Sequence, residues 1–147
     1  MELVLFIGIQ ATGKSSFYKE RFYRTHLRVN YDMLKTRHRE DLIVQACLES
    51  KTKFVVDNTN LTRADRARYI VPASNAGFRV VGYFFQSRVA DALRRNSNRD
   101  EPERVPDKGI LGASGRLELP ARAEGFDELC FVRLDEPKGF VVEEWKE

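Results

Sequence analysis

The spacing of apolar and polar positions changes period repeatedly along the chain. Leu3 to Ile7 is a continuous apolar run, as in a strand buried on both faces. Lys14 to Arg24 spaces Phe17, Phe22 and Tyr23 like a helix, and His26 to Asn30 reads as a short strand. Leu42, Ile43, Ala46, Cys47 and Leu48 form a helical stripe expected to pack in the core. Phe54-Val55-Val56 is a second buried strand, ending in Asp57. Thr62 to Asn75 reads as a helix capped at Thr62, with Asp65 three residues on and Gly77 closing it. Val80 to Phe85 is a strand and Val89 to Arg95 a helix. Residues 98–125 are rich in Arg, Glu, Pro and Gly and show no clean period; Leu129 to Leu134 and Phe140 to Val142 are the last strand candidates.

Strands that alternate with helices predict βαβ crossovers. The expected fold is α/β: a three-layer α/β/α sandwich with a mostly parallel central sheet. No repeat or long linker divides the chain, so residues 1–147 are expected to form a single domain. A composition that is 42% hydrophobic, 32% charged and 11% aromatic suits a packed core rather than a disordered tail. No apolar run reaches the roughly 18–20 residues of a membrane-spanning helix. The segment from Met1 to Gly8 lacks the basic start of a secretory signal. Cys47 and Cys130 form no CxxC pair, so neither zinc nor a disulfide is expected, and the expected setting is the reducing cytoplasm.

Charge is unevenly spread around a net +3. Eight basic residues (Lys14, Lys19, Arg21, Arg24, Arg28, Lys35, Arg37 and Arg39) face only Glu20 and Asp32 over the same stretch. From Ala123 onward, three basic residues stand against eight acids. The first region could attract a polyanion and the second would repel one; solvated helix faces are the plainer account of both.

The sharpest chemical signal is Gly8-Ile9-Gln10-Ala11-Thr12-Gly13-Lys14-Ser15, which fits GxxxxGK[ST] in full. Its glycines let backbone N–H groups approach phosphate oxygens, and a helix starting beside Gly13 aims its positive dipole end at the same place. Lys14 can reach the β and γ phosphates, and the Ser15 hydroxyl can bind Mg²⁺. ATP or another nucleoside triphosphate with Mg²⁺ is therefore the expected ligand, held by Gly8, Gln10, Ala11, Thr12, Gly13, Lys14, Ser15 and Ser16. No guanine-reading NKxD motif is present. Asp57 is expected to hold Mg²⁺ with Ser15, a strand-ending turn being the alternative. Asn58 rather than Glu follows it, so activation of water is not provided for and transfer to a hydroxyl is favoured over hydrolysis.

After the loop come Val29-Asn30-Tyr31-Asp32, Val55-Val56-Asp57-Asn58-Thr59-Asn60, Arg95-Asn96-Ser97-Asn98-Arg99 and Arg104-Val105-Pro106. In order and spacing this set resembles the polynucleotide 5′-hydroxyl kinase family, including the kinase half of phage and animal kinase–phosphatases, over nearly the whole chain. No DxDxT motif of a phosphatase half is present. The resemblance implies a P-loop kinase fold with an Arg-rich lid at about residues 95–120. It also implies transfer of the ATP γ-phosphoryl group to the 5′-hydroxyl end of DNA or RNA. It casts Asp32 as general base, Lys14 and Arg99 as catalytic partners, and Arg95 and Arg99 as further nucleotide contacts. Tyr31, Lys35, Arg39, Asn58 and Asn60 become candidates for contact with the acceptor. Tyr31 and Lys35 stand where the family often has Arg, and Tyr31 offers a face on which a base can stack. On spacing alone Asp32 could equally cap the following helix. Of the arginines at 88, 94, 95, 99 and 104, one or two are expected to be functional, because interleaved acids provide surface ion pairs for the rest. Two other readings stay open: the same fold acting on a nucleoside or other small hydroxyl, and an ATP-binding module without transfer.

Overall fold

The computed structural model describes residues 1–147. Its elements run β1 (Glu2–Ile7), α1 (Lys14–Arg21), β2 (Leu27–Val29), α2 (Tyr31–Leu34), α3 (Arg37–Ser50), β3 (Phe54–Val56), α4 (Arg63–Asn75), β4 (Arg79–Phe85), α5 (Val89–Ser97), α6 (Asp107–Arg116), β5 (Glu128–Asp135) and β6 (Gly139–Glu144), with a 3-10 turn at Arg122–Glu124. The six strands lie in the order β2-β3-β1-β4-β5-β6. The first five are parallel, and β6 returns antiparallel beside β5, with Val132 opposite Val142.

The unbroken apolar run of β1 follows from its central place, where it pairs with β3 on one side and β4 on the other. Alternate residues feed opposite layers. Leu3, Leu5, Ile7, Phe54 and Val56 pack against Val44 and Cys47 of α3 and Tyr69, Ile70 and Ala73 of α4. Val4, Phe6, Val55, Val81 and Phe85 pack against Phe17 and Tyr18 of α1 and Phe22 beyond it. The fold is therefore the expected α/β/α arrangement. No helix is long and apolar enough to cross a membrane.

Three local expectations need correction. Helix α1 stops at Arg21, and Tyr23 is 72% exposed while Tyr18 is buried. Helix α3 starts earlier, where the Thr36 side chain accepts from the Arg39 N–H. Its buried residues are Glu40, Val44 and Cys47, whereas Leu42 and Ala46 of the expected stripe face solvent. Residues 98–125 are not without period either, since α6 lies within them. Its glycines at 109, 112 and 115 have low helix propensity and mask a stripe of Ile110, Ala113 and Leu117. That stripe packs on Ile9 and Ala11, so α6 seats directly against the glycine-rich loop.

The α4 helix begins with the expected capping box of Thr62 and Asp65. Behind it the Arg66 guanidinium is fully buried. It grips Glu124 through two bonds of 2.7 and 3.1 Å and donates to the carbonyls of Asn60, Leu61 and Glu118. These bonds tie the segment after β3 to the 3-10 turn. Replacing Arg66 with Leu would remove both guanidinium bonds from Glu124 and leave the Asn60 and Glu118 carbonyls without a donor. The expected loss of stability is about 3–5 kcal/mol, to be read from urea denaturation.

Candidate functional site

The glycine-rich loop leaves the C-terminal end of β1. Gly8 has φ +153°, and a Cβ there would sit 3.1 Å from Phe85 Cβ and 3.2 Å from Ser87 Oγ. The Gly8 N–H donates to Thr59 O and the Ile9 N–H to Ser87 Oγ, which closes the loop against the ends of β3 and β4. Thr12 Oγ1 donates back to Ile9 O at 2.9 Å. Gly13 has φ +95°, and a Cβ there would lie 2.8 Å from the Phe140 ring of β6. Gly13 puts no side chain over the start of α1, so the first N–H groups of that helix keep free donors for an anion. Ser16 is exposed on the first turn, and the buried Gln10 Oε1 has no hydrogen-bond partner.

Lys14 is buried and donates Nζ to Gly8 O at 2.9 Å and Ile9 O at 2.6 Å. Burial lowers its pKa to about 8; the nearby Asp57 works against that shift, and Arg99 adds to it. Ser15 Oγ donates to Asp57 Oδ2 at 3.0 Å. Asp57 is 2% exposed and also accepts from Arg28 Nε at 2.9 Å, while a second Arg28 nitrogen reaches Ser15 Oγ at 3.1 Å. Asp57 is therefore bonded to the loop's first helical turn rather than merely ending its strand. No group of three or more His, Cys, Asp or Glu side chains could hold a metal alone. Ser15 and Asp57 offer two hard oxygens, which suits an ion that takes its other ligands from phosphate and water.

The acceptor candidates cluster on α2 and the segment after β3. Asn30, not Asp32, caps α2: its Oδ1 accepts from the Met33 N–H, and its Nδ2 donates to Asp57 O at 2.6 Å. Asp32 is exposed in the first turn of α2. Tyr31 is partly exposed, with the Arg37 guanidinium 4.7 Å from its ring centroid. Lys35 is exposed, and Arg39 donates to Leu34 O. Asn58 lies inward: its Oδ1 accepts from the Tyr31 N–H and its Nδ2 donates to Glu40. Asn60 is buried, with φ +46° and its Nδ2 on Phe6 O at 2.7 Å, so its amide is committed to the end of β1.

On the other flank, Asn96 is 1% exposed and exchanges two hydrogen bonds with Val105: Nδ2 to O at 2.6 Å, and N–H to Oδ1 at 3.0 Å. This clip closes the segment that carries Arg99, whose NH1 lies 3.3 Å from Glu103 O. Arg95 makes a long contact of 3.5 Å to Glu136, and Arg94 pairs at 3.8 Å with Asp91. A polar cleft of about 340 Å³ opens here, lined by residues that include Gln86, Arg88, Arg95, Leu134 and Glu136. It adjoins the loop, because Ser87 bonds Ile9 and Leu134 approaches Gly13.

Arg28, Glu40, Tyr69, Ser87 and Asn96 take part in this arrangement without having been marked as site residues by the sequence. Asn96 carried a signal within the Arg95–Arg99 motif, Tyr69 within the Arg66-Ala67-Arg68-Tyr69 stretch that shares the family resemblance, and Arg28 as one of the basic stretch.

The loop, the Ser15–Asp57 contact and the parallel sheet define a P-loop kinase-type, nucleotide-binding domain. The chain belongs to the AAA domain family (AAA_33), which it matches over residues 35–120. It is 26% identical over 131 residues to the bifunctional polynucleotide phosphatase/kinase of Schizosaccharomyces pombe. That match covers 85% of this chain and 32% of the relative, so the chain spans about a third of the relative's length. Among solved structures it is similar to Chaetomium thermophilum Kti12 in complex with ADP-AlF3 (TM-score 0.67, 16% identity, 91% of each chain). It is also similar to a gluconokinase from Sinorhizobium meliloti 1021 (TM-score 0.65, 17% identity, 92% of this chain and 84% of that one). At these identities the solved structures bear on the fold alone.

The lowered pKa of Lys14 makes triphosphate binding pH-dependent. Below about 8 the free protein carries the charged ammonium; as pH rises through that value the proton is lost, and binding a triphosphate then requires proton uptake. Affinity for an ATP analogue is expected to be flat below pH 8 and to fall above it, toward about tenfold per pH unit. Titration calorimetry from pH 6.5 to 9.5 checks this.

Proposed function

We propose that this protein transfers the γ-phosphoryl group of ATP to the 5′-hydroxyl end of a polynucleotide. The observation that carries the reading is a continuous link between two half-sites. Asp57 bonds Ser15 beside the phosphate loop, and the same segment, through Asp57 O and Asn58 Oδ1, bonds the turn that presents Asp32. Similarity to a polynucleotide phosphatase/kinase over 85% of the chain supports this acceptor.

In this reading the free N–H groups at the start of α1 and the Lys14 ammonium hold the triphosphate. Ser15 and Asp57 would hold Mg²⁺, which would supply charge neutralisation to the triphosphate. The cleft between α5 and the β5–β6 turn gives the nucleoside of ATP a place beside the loop. Asp32 aligns the acceptor hydroxyl and takes its proton as the new O–P bond forms. The bond from the γ-phosphorus to its bridging oxygen breaks, and ADP leaves. A carboxylate is a weak base for an alcohol, but phosphoryl transfer has a loose transition state in which the proton departs late. Arg99 supplies charge to the transferring oxygens from the flank of Lys14. Exposed Lys35, His38 and Arg39 beside Asp32 suit an acceptor that carries further phosphates.

Asp32→Asn keeps the shape of the turn and removes the base. Transfer to a 5′-hydroxyl oligonucleotide from labelled ATP is expected to fall at least about a hundredfold, with affinity for the ATP analogue within twofold of the parent. Transfer at the parent rate would mean that Asp32 is not the base. Salt gives a second check: affinity for a single strand is expected to fall with log salt at about −0.7 per phosphate contacted. A flat response, with turnover of a nucleoside or sugar, would move the acceptor to small hydroxyls.

A further inference from the structure

Helix α2, which carries Asp32, cannot hold its own shape. It spans four residues, far below the roughly 12–15 at which an isolated helix becomes even marginal. It ends at Lys35 with φ +77°, a conformation that costs a non-glycine residue energy and persists only where the surroundings impose it. None of its residues is buried.

Besides the Asn30 cap, tied to Asp57 O, and the Arg39 bond to Leu34 O, its support comes from one buried cluster between α3 and α4. The Tyr31 N–H, first donor of α2, donates to Asn58 Oδ1 at 2.8 Å. Asn58 Nδ2 donates to Glu40 Oε2 at 3.1 Å and lies 3.4 Å from the Tyr69 hydroxyl. That hydroxyl donates to Glu40 Oε1. Arg37 NH1 closes the ring, donating to Glu40 Oε1 at 2.8 Å and the Tyr69 hydroxyl at 2.9 Å, while its guanidinium packs over the Tyr31 ring. Glu40 is wholly buried and Tyr69 is 3% exposed. Burial and the carboxylate of Glu40 push the Tyr69 hydroxyl well above its usual pKa, so it remains a donor.

We infer that Glu40, Tyr69 and Asn58 form a positioning device that sets the turn bearing Asp32 against the phosphate loop. The catalytic meaning of the device rests on the proposed kinase reading; its mechanical meaning does not. The arrangement requires an acceptor on both arms of residue 40. One carboxylate oxygen takes Asn58 Nδ2, and the other takes Tyr69 and Arg37. An amide in the same place sets its NH₂ against Asn58 in one orientation and against Arg37 in the other. If Asn58 flipped to relieve the first conflict, its own NH₂ would meet the Tyr31 N–H.

Glu40→Gln and Tyr69→Phe test this, since each keeps the size of the side chain it replaces. The first readout is hydrogen exchange of the Tyr31 amide by NMR, expected to speed up at least about tenfold relative to core amides of β1. The second is steady-state phosphorylation of a 5′-hydroxyl oligonucleotide. There kcat is expected to fall roughly ten- to a hundredfold while the KM for ATP stays within twofold, as displacement of a base by about 1 Å predicts. A uniform rise in exchange across β1 and α2, or Tyr31 protection and kcat at parent values in both variants, would overturn the inference. If the parent itself labels no oligonucleotide, the kinase reading fails, and Tyr31 exchange alone decides whether the cluster holds the turn. Asn58→Ala, which removes the link while leaving Glu40, Tyr69 and Arg37 in contact, is expected to reproduce the exchange effect.

Discussion

A β-strand sends successive side chains to opposite faces, and at the end of β3 that alternation divides the labour of the site. Val55 packs in the layer with α1, and Val56 in the layer with α3 and α4. The next two residues continue the same alternation. Asp57 follows Val55 and meets Ser15 of α1; Asn58 follows Val56 and meets Glu40 of α3 and Tyr69 of α4. Two adjacent residues thereby connect the glycine-rich loop with the turn that carries Asp32. Their relative placement is inherited from the pleat of a strand buried along its whole length.

How much of this could be read in the chain depends on how local each contact is. The phosphate loop was legible because its parts stand within eight consecutive residues, between an apolar strand and a helix. The sheet was legible because β1 and β3 are buried on both faces and leave unbroken apolar runs. The α2 turn was not legible, because four residues cannot show a period. The Glu40 cluster was hidden for another reason. Glu40, Val44 and Cys47 form one face of α3, but a charged residue in a helix reads as solvent-facing, so the apparent stripe moved onto Leu42 and Ala46. What keeps Glu40 inside is a set of donors from α4 and the segment after β3, up to 29 positions away in sequence. Asp32 was legible as a candidate, and the structure puts Asn30 rather than Asp32 in the cap of α2.

The uneven charge of the chain also changes meaning in three dimensions. The basic stretch from Lys14 to Arg39 is not one face. Lys14 is inside the loop, Arg28 is spent on Asp57 and Ser15, and Arg21 pairs with Glu20 at the far end of α1. Those beside Asp32 are Lys35, Arg37, His38 and Arg39, and Arg37 is held by Glu40. The acids of the C-terminal part are largely paired as well: Glu144 and Glu147 with Arg122, Glu143 with Arg133, and Glu128 with Arg79. Lys35, His38 and Arg39 are thus exposed around α2 and the start of α3, while Lys19 and Arg24 are exposed on and after α1.

The two flanks of the loop are built to different stiffness. On the α2 side, the short turn is gripped from beneath by a buried ring of hydrogen bonds. On the α5 side, the bonding sits at the base, where Asn96 and Val105 close the segment between them and α6 packs its stripe against Ile9 and Ala11. Beyond that clip the Arg99 guanidinium has one contact, at 3.3 Å, and little to lose by moving. A group that must aim an alcohol needs a fixed bearing before the reaction, whereas a cation that follows charge onto a transferring phosphoryl group needs reach. Under the proposed roles of Asp32 and Arg99, the distribution of hydrogen bonds suits the carboxylate to the first need and the guanidinium to the second.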